Sequence, residues 1–443
     1  MRVLVLGAGG REHACVWKLA QEDNVEKIYA SPGNAGIATE AELVELDRSD
    51  VDEAADFVRE KDIDLTLAWD ERYLEEGIVE EFAGRNLDVL GPELSLYRNF
   101  RNSLQARRFL LENDIPAVDC GIFSRKQNAR RHLQEADYPL RIRGEAESAS
   151  GESGEVIIAS GPGDARRALD RFLDGGDGDD SVLIEEIPEG ERVTVLALSD
   201  GSMLLPFSSA RIQHHIFEGG EGPLTPGMGA YSPLPYVSFQ QDRMIYGDIM
   251  MPLLEGLRSL AGERGYRGFL SADIVLTERG PRLLEFNPGL EGMAFQAVIP
   301  RLNSELSGLL ARAAAGNIER RKLDWSQDSA VSIVISAGGY PLTHQEGREI
   351  SGLEELQEEE DICLFHNATC SAGEKIVTAG GRVLAVTALA SGHFTACDRA
   401  HEAVEKIDFA DMHYRTDIGS GAVLDFSPEA GDEEERDQRE GEE

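Results

Sequence analysis

Met1-Arg2-Val3-Leu4-Val5-Leu6-Gly7 reads as a short buried strand, and it runs directly into Ala8-Gly9-Gly10-Arg11-Glu12-His13. A strand that breaks at glycines and re-enters as a helix leaves backbone N–H groups unpaired at the helix start, where an anion can come close to the chain. The turn is therefore expected to bind phosphate. Gly7-x-Gly9 also matches the opening of the dinucleotide fingerprint, but Glu12 stands where its third small residue belongs. The strand-like run 27–30 ends in Ser31-Pro32-Gly33-Asn34-Ala35-Gly36, with no acid to hold a ribose. A nicotinamide cofactor is disfavoured, while a glycine turn that merely joins strand to helix stays open.

Outward from this turn, residues 1 to about 90 alternate the strand-like runs RVLVL, KIYA, LTLAW and LDVLG with helical stretches at 49–61 and 75–85. The alternation predicts a parallel α/β sheet with right-handed crossovers and a binding edge at the carboxyl ends of its strands. Residues 7–10, 32–36, 69–71 and 91–92 should gather there. A helical stretch at 94–113 leads to shorter elements: strands at 138–143, 155–159, 181–186 and 192–198 around a helix at 164–173. Next come a strand at 202–207, a long loop to Pro235, a helix at 241–262, paired strands at 268–277 and 282–286, and a helix at 301–316. From 330 onward the pattern is that of a compact α+β unit. The expected domains are 1–100, 101–325 with a small lobe at about 115–195, and 326–426; the acidic stretch 427–443 is expected to be disordered.

A chain of 443 residues with 41% hydrophobic and 28% charged residues is expected to form several globular domains. It holds no apolar run of the roughly 18 residues a membrane span needs, and its start lacks the pattern of a signal peptide, so the cytoplasm is the expected location. The net charge of −39 comes with lysine only at 18, 27, 61, 126, 322, 375 and 406. Acidic surplus spread along the chain suits high salt, where screening reduces self-repulsion, and it argues against a nucleic-acid partner. Five cysteines show neither CxxC pairs nor metal spacing and read as reduced, mostly buried thiols, with Cys363 and Cys370 as packing residues.

Among residues that could carry chemistry, the paired strands 268–287 stand first. Asp273 lies on one, and Glu285 and Asn287, two apart and so on one face, lie on the other. Hard oxygen ligands from neighbouring strands suit a Mg²⁺ ion bridging nucleotide phosphates, although a strand end with solvated acids gives the same pattern. His214 and His215, adjacent in a polar loop, face solvent more often than they catalyse, yet their titration range leaves proton transfer open. Residues 354–361 read as a solvated helix face.

A glycine-rich α/β domain, then Val182-Leu183-Ile184-Glu185-Glu186, then Leu284-Glu285-Phe286-Asn287 is similar to the ATP-grasp arrangement, in which ATP lies between two antiparallel sheets. Seven blocks make the resemblance specific: Gly9-Gly10-Arg11-Glu12-His13-Ala14, Pro32-Gly33-Asn34-Ala35-Gly36, Gly227-Met228-Gly229-Ala230-Tyr231-Ser232-Pro233, Glu285-Phe286-Asn287, Ala337-Gly338-Gly339-Tyr340-Pro341, Gly380-Gly381-Arg382-Val383-Leu384 and Tyr414-Arg415-x-Asp417-Ile418-Gly419. In order and content these resemble the phosphoribosylamine–glycine ligase family, the glycinamide ribonucleotide synthetases. The resemblance implies an α/β and α+β multidomain fold: a parallel-sheet N-terminal domain, a two-lobed ATP-grasp region and a small α+β C-terminal domain. It implies ATP-dependent joining of glycine to 5-phosphoribosylamine through a glycyl phosphate, with small-molecule partners only and a monomer or weak homodimer.

By the same resemblance, Gly9, Gly10, Glu12 and Asn34 line the phosphoribosylamine side, and the loop 225–232, with Thr225, Gly227 and Gly229, closes over substrate. Glu285 and Asn287, with Asp273 beside them, hold Mg²⁺ or Mn²⁺. Glu185 and Glu186 border the adenine pocket, Glu191 stands in for a family glutamate, and Arg143, Arg211 and His214 are the candidate catalytic groups. The chain departs from the family where the nucleotide loop carries two lysines: Arg143 replaces the first, and 145–155 holds acids and serines in place of the second. After Asn287 the family's Cys-Arg-Phe-Gly-Asp-Pro-Glu becomes Pro288-Gly289-Leu290-Glu291-Gly292-Met293-Ala294. Two alternatives therefore stand beside the ligase: an ATP-grasp enzyme with another amine or acid, and a paralogue that only binds a ligand or partner.

Overall fold

Val3, Leu4, Val5 and Leu6 are all fully buried, so the Arg2–Gly7 strand is covered on both faces, as a central parallel strand must be. Alternation sends Val3 and Val5 to one side, against Ala14 and Leu19 of the Gly10–Ala20 helix, and Leu4 and Leu6 to the other, against Ala54, Val58 and Phe82. The protein is described by a computed structural model for residues 1–144, 156–173, 181–357 and 359–420. The expected acidic tail 427–443 and the loop 145–155 lie outside the described residues. The first sheet runs Glu42–Leu43, Lys27–Pro32, Arg2–Gly7, Leu65–Ala68, Val89–Leu90, all parallel. Its order turns back at the first strand, so a crevice opens beyond Gly7 and Ala68, where ligands of such sheets bind.

The helix expected at 94–113 is two helices, Leu94–Arg101 and Ser103–Glu112. Asn102 separates them because its side chain accepts from the amides of Leu104 and Gln105 (2.9 and 3.1 Å), capping the second helix. Beyond this linker a small antiparallel sheet orders Cys120–Phe123, Val182–Glu186, Leu140–Gly144 and Val156–Ala159. Leu140, Ile142 and Ile184 pack on Ala129, Ala165 and Leu169 of two covering helices. A second antiparallel sheet orders Leu204–Pro206, Glu191–Asp200, Arg267–Thr277 and Gly280–Asn287.

The long loop expected before Pro235 is instead a hairpin, Arg211–Phe217 with Glu221–Ser232. Five glycines and two prolines between 219 and 229 hide it, since such composition reads as loop. Neighbouring strands supply the order: Gly229 to Ser232 pair with Ser329–Ser336. That sheet continues through Arg382–Ala390 to Ile362–His366, so one sheet crosses the boundary drawn near residue 325. The helix expected at 301–316 begins only at Leu306, where the Glu22 carboxylate accepts from the amides of Leu306 and Ser307 (2.5 and 2.9 Å). The helix within 354–361 is confined to Leu353–Gln357 and buries Leu356, so it is not a wholly solvated face. Cys15 and Cys363 are buried, Cys120 and Cys397 half-buried, and Cys370 is exposed, which corrects its expected packing role.

The first helix docks the C-terminal unit through two buried imidazoles. The His366 amide donates to His13 Nδ1 (2.8 Å), the two rings meet edge to face, and Gly36 leaves no room for a Cβ between them. Burial pushes the His13 pKa down to about 3, with His366 adding to the effect, and burial alone pushes His366 down to about 4. Unfolded histidines bind a proton near pH 6.5, so between that pH and 4 the unfolded chain holds more protons and stability falls as pH falls. Denaturant titrations should show the fold intact at pH 7 and weakened by about 2 kcal/mol per imidazole at pH 5. His13→Gln should remove about half of that slope.

Candidate functional site

A cavity of about 300 Å³ opens between the small sheet, the Gly280–Asn287 strand, the two linker helices and the crevice of the first sheet. One wall is apolar and aromatic, with Trp69, Tyr97, Phe100 and Phe286; the other carries Arg143, Glu185, Glu285 and Asn287. Alternation along the Gly280–Asn287 strand buries Leu284 and Phe286 and leaves Glu285 and Asn287 exposed.

Three arginines and two glutamates meet here, with Arg107, Arg143 and both glutamates lining the cavity and Arg141 just behind the wall. Arg143 reaches Glu285 with Nη2, donates through Nη1 to Ser103 Oγ (3.0 Å), and has Nε 3.5 Å from Glu185 Oε2. Arg141, two residues earlier on the same strand, donates to Glu185 Oε2 (Nε, 2.8 Å) and Glu285 Oε1 (Nη1, 3.1 Å). Arg107, from the second linker helix, donates to Glu185 Oε1 (2.6 Å) and to the carbonyl of Leu284 (2.6 Å). Partial desolvation in the cavity wall works against ionisation of Glu285, but Arg143 and Arg141 outweigh it and hold its pKa at about 2. The carboxylate is therefore charged at any working pH.

Asp273 pairs in register with Glu285 on the neighbouring strand, which brings the candidate metal ligands together. It accepts from the Thr194 hydroxyl (2.5 Å), and burial, with Glu285 nearby, raises its pKa. Among the described residues no three His, Cys, Asp or Glu side chains are grouped closely enough to hold a metal by themselves.

The other candidates are placed differently from the expectation. Glu12 fills the glycine turn itself: its carboxylate accepts from the Gly9 amide (3.0 Å) and from Arg11 Nε (2.7 Å), so the chain's own acid occupies part of the place expected for phosphate. Gly10 is needed for packing, since a Cβ there would lie 1.9 Å from Asn367. Asn34 is a clip between domains: its Nδ2 donates to the carbonyls of Ala8 and His366 (2.8 and 2.7 Å), and its Oδ1 accepts from the Gly36 and Ile37 amides (both 2.9 Å).

Thr225, Gly227 and Gly229 belong to a sheet strand, not to a loop. Thr225 bonds to His214 O (2.7 Å), and a Cβ on Gly227 or Gly229 would strike Ile212 or Ile418. His214 is half-buried on a strand, not in a loop. Its Nδ1 donates to Thr225 O (3.1 Å). Arg211 is paired with Glu191 (2.6 Å), and Glu186 is exposed at the end of its strand.

Sequence reading missed Arg107 and Arg141. Their signals were present: Leu104, Arg107 and Leu110 share one helix face, and Arg141-Ile142-Arg143 alternates with period two.

Comparison with known proteins gives a consistent result across the chain. Residues 1–96 match the family described as phosphoribosylglycinamide synthetase, N domain; residues 102–290 match its ATP-grasp (A) domain, and 330–421 its C domain. A phosphoribosylamine–glycine ligase of Caldanaerobacter subterraneus is 34% identical over 426 residues, covering 95% of this chain and all of the relative. One from Mesorhizobium japonicum is 35% identical over 425 residues, covering 96% and 99%. The crystal structure of a phosphoribosylamine–glycine ligase from Thermotoga maritima superposes with a TM-score of 0.75 at 23% identity, covering 94% of this chain and all of that one. The biotin carboxylase domain of a Hydrogenobacter thermophilus 2-oxoglutarate carboxylase, solved with MgADP, shares the fold with a TM-score of 0.65 at 15% identity, covering 93% and 91%.

Proposed function

The chain belongs to the phosphoribosylglycinamide synthetase family, and from that premise we propose how its own residues serve the ATP-dependent ligation of glycine to 5-phosphoribosylamine, a step of purine synthesis. The observation that carries the assignment of the site is the convergence of Arg143 and Arg141 on Glu285, with Arg143 and Glu285 lining a cavity between two antiparallel sheets and Arg141 beside it. Guanidinium groups that converge on one carboxylate oxygen are equally suited to a phosphate oxygen. The aromatic wall of Tyr97, Phe100 and Phe286 offers apolar cover for the base.

Glu285 and Asn287, with Asp273 across the strand pair, supply hard oxygen donors, a set that fits Mg²⁺. A bound ion would supply neutralisation of phosphate charge for phosphoryl transfer to the glycine carboxylate. Arg143 holds the phosphates in line, the buried Glu185 keeps that arginine aimed, and the two sheets exclude water from the acyl phosphate until the amine attacks. No enzyme nucleophile is required. The charge of −39 and the scarcity of lysine support a working environment of high salt.

Incubation with ATP, Mg²⁺, glycine and freshly generated phosphoribosylamine in molar KCl should give glycinamide ribonucleotide and ADP in equal amounts. Omission of glycine or of the amine should stop product formation. ADP release with a different amine or acid, and none with this pair, would overturn the substrate assignment.

A further inference from the structure

We propose that Arg141 is a second nucleotide-binding cation, supplying from a strand the positive charge that residues 145–155, which contain no lysine or arginine, do not carry. This rests on the reading that the triphosphate enters the cavity beside Glu285. Leu140 and Ile142 turn into the core of the small sheet, so Arg141 and Arg143 share its other face and point toward the facing sheet. Both reach the same oxygen, Glu285 Oε1.

The two glutamates of the cluster differ in exposure, and that difference assigns their roles. Glu185 is 1% exposed and holds Arg107, Arg141 and Arg143 together; the Glu285 side chain is 49% exposed and faces the cavity. Glu185 is thus a fixed anchor, and Glu285 is the partner that can be exchanged. Once Glu285 turns to a metal ion, Arg141 and Arg143 each lose one acceptor, stay aimed by Glu185, and need an anionic oxygen in its place. Within this hydrogen-bonded cluster three guanidiniums face two carboxylates, in a chain whose total is −39. A polyphosphate brought in with the metal meets the need of both arginines.

The test is calorimetric titration of the full-length protein in molar KCl with ATP, with and without Mg²⁺, and with adenosine as a ligand lacking phosphates. Arg141→Met should weaken binding of ATP with Mg²⁺ by about tenfold or more and leave adenosine unaffected, and Arg141→Lys should recover part of the loss. Without metal, Glu285→Gln should bind ATP more tightly than the parent, because both guanidiniums are freed, and adding Arg141→Met should cancel that gain. A purely structural role for Arg141 would not produce this reversal.

An Arg141→Met protein that melts like the parent yet binds ATP with Mg²⁺ as tightly overturns the proposal while the ligase reading stands. If that variant does not fold, Arg141→Gln decides in the same way: affinity equal to the parent overturns the proposal. A parent protein that binds no ATP overturns the reading of the cavity, and the role of Arg141 with it.

Discussion

Glu285→Gln lowers kcat/KM for the ligation by about 10²- to 10³-fold, the scale seen when one preorganised charge contact to a transferring group is lost. The amide keeps one oxygen and nearly the same shape, so the loss reports the charge that meets the metal and orders the arginines. The Glu285 side chain is about half exposed, and Arg143 keeps Glu185 and Ser103 as partners, so the melting temperature should change little. Arg143 and Arg141 hold the Glu285 pKa at about 2, so activity between pH 5 and 9 should show no limb that titrates with this carboxylate. Steady-state kinetics of the parent and the variant across that range check both statements.

Arg107→Met is expected to act on the fold, at a cost of about 3 kcal/mol or more. Arg107 is 3% exposed and donates to a carboxylate that is 1% exposed, so removing it leaves Glu185 with less compensation in a dry interior. It also frees the carbonyl of Leu284, and thereby unties the second linker helix from both antiparallel sheets. Arg141 and Arg143 remain on Glu185, which keeps the expected cost at the lower end for a broken buried pair. The surface pair of Arg130 with Asp170, 3.2 Å apart, is the control: Arg130→Ala should leave the unfolding midpoint almost unchanged. Denaturant unfolding in molar KCl compares the two directly.

The parts of the fold legible in the sequence were those where local pattern and tertiary structure agree. The alternation of apolar strands and amphipathic helices in the first 90 residues gave the parallel sheet, because a strand buried on both faces must be continuously apolar. The hairpin at 211–232 was not legible, because strands held by their neighbours tolerate glycine and proline that local reading takes for loop. Its misreading placed His214, Thr225, Gly227 and Gly229 in a loop and not on strands.

The candidate site was legible by residue type and less so by partner. Arg143, Glu185, Glu285 and Asn287, named from the chain's resemblance and its strand pattern, line one cavity. The Glu12 carboxylate on its own helix start and the four hydrogen bonds of Asn34 depend on which groups face each other after folding. Arg107 and Arg141 went unnoticed because a buried arginine is marked only by the glutamate it meets, 78 and 44 residues away along the chain.

The most direct test of the central claim, that this arginine-lined site activates glycine as an acyl phosphate, is oxygen transfer. With glycine labelled by ¹⁸O in both carboxylate positions, each turnover should place one ¹⁸O in the inorganic phosphate released and leave one in the glycinamide ribonucleotide. Unlabelled phosphate accompanying ADP would contradict the account, because the phosphoryl group would then have gone to water and not to the carboxylate.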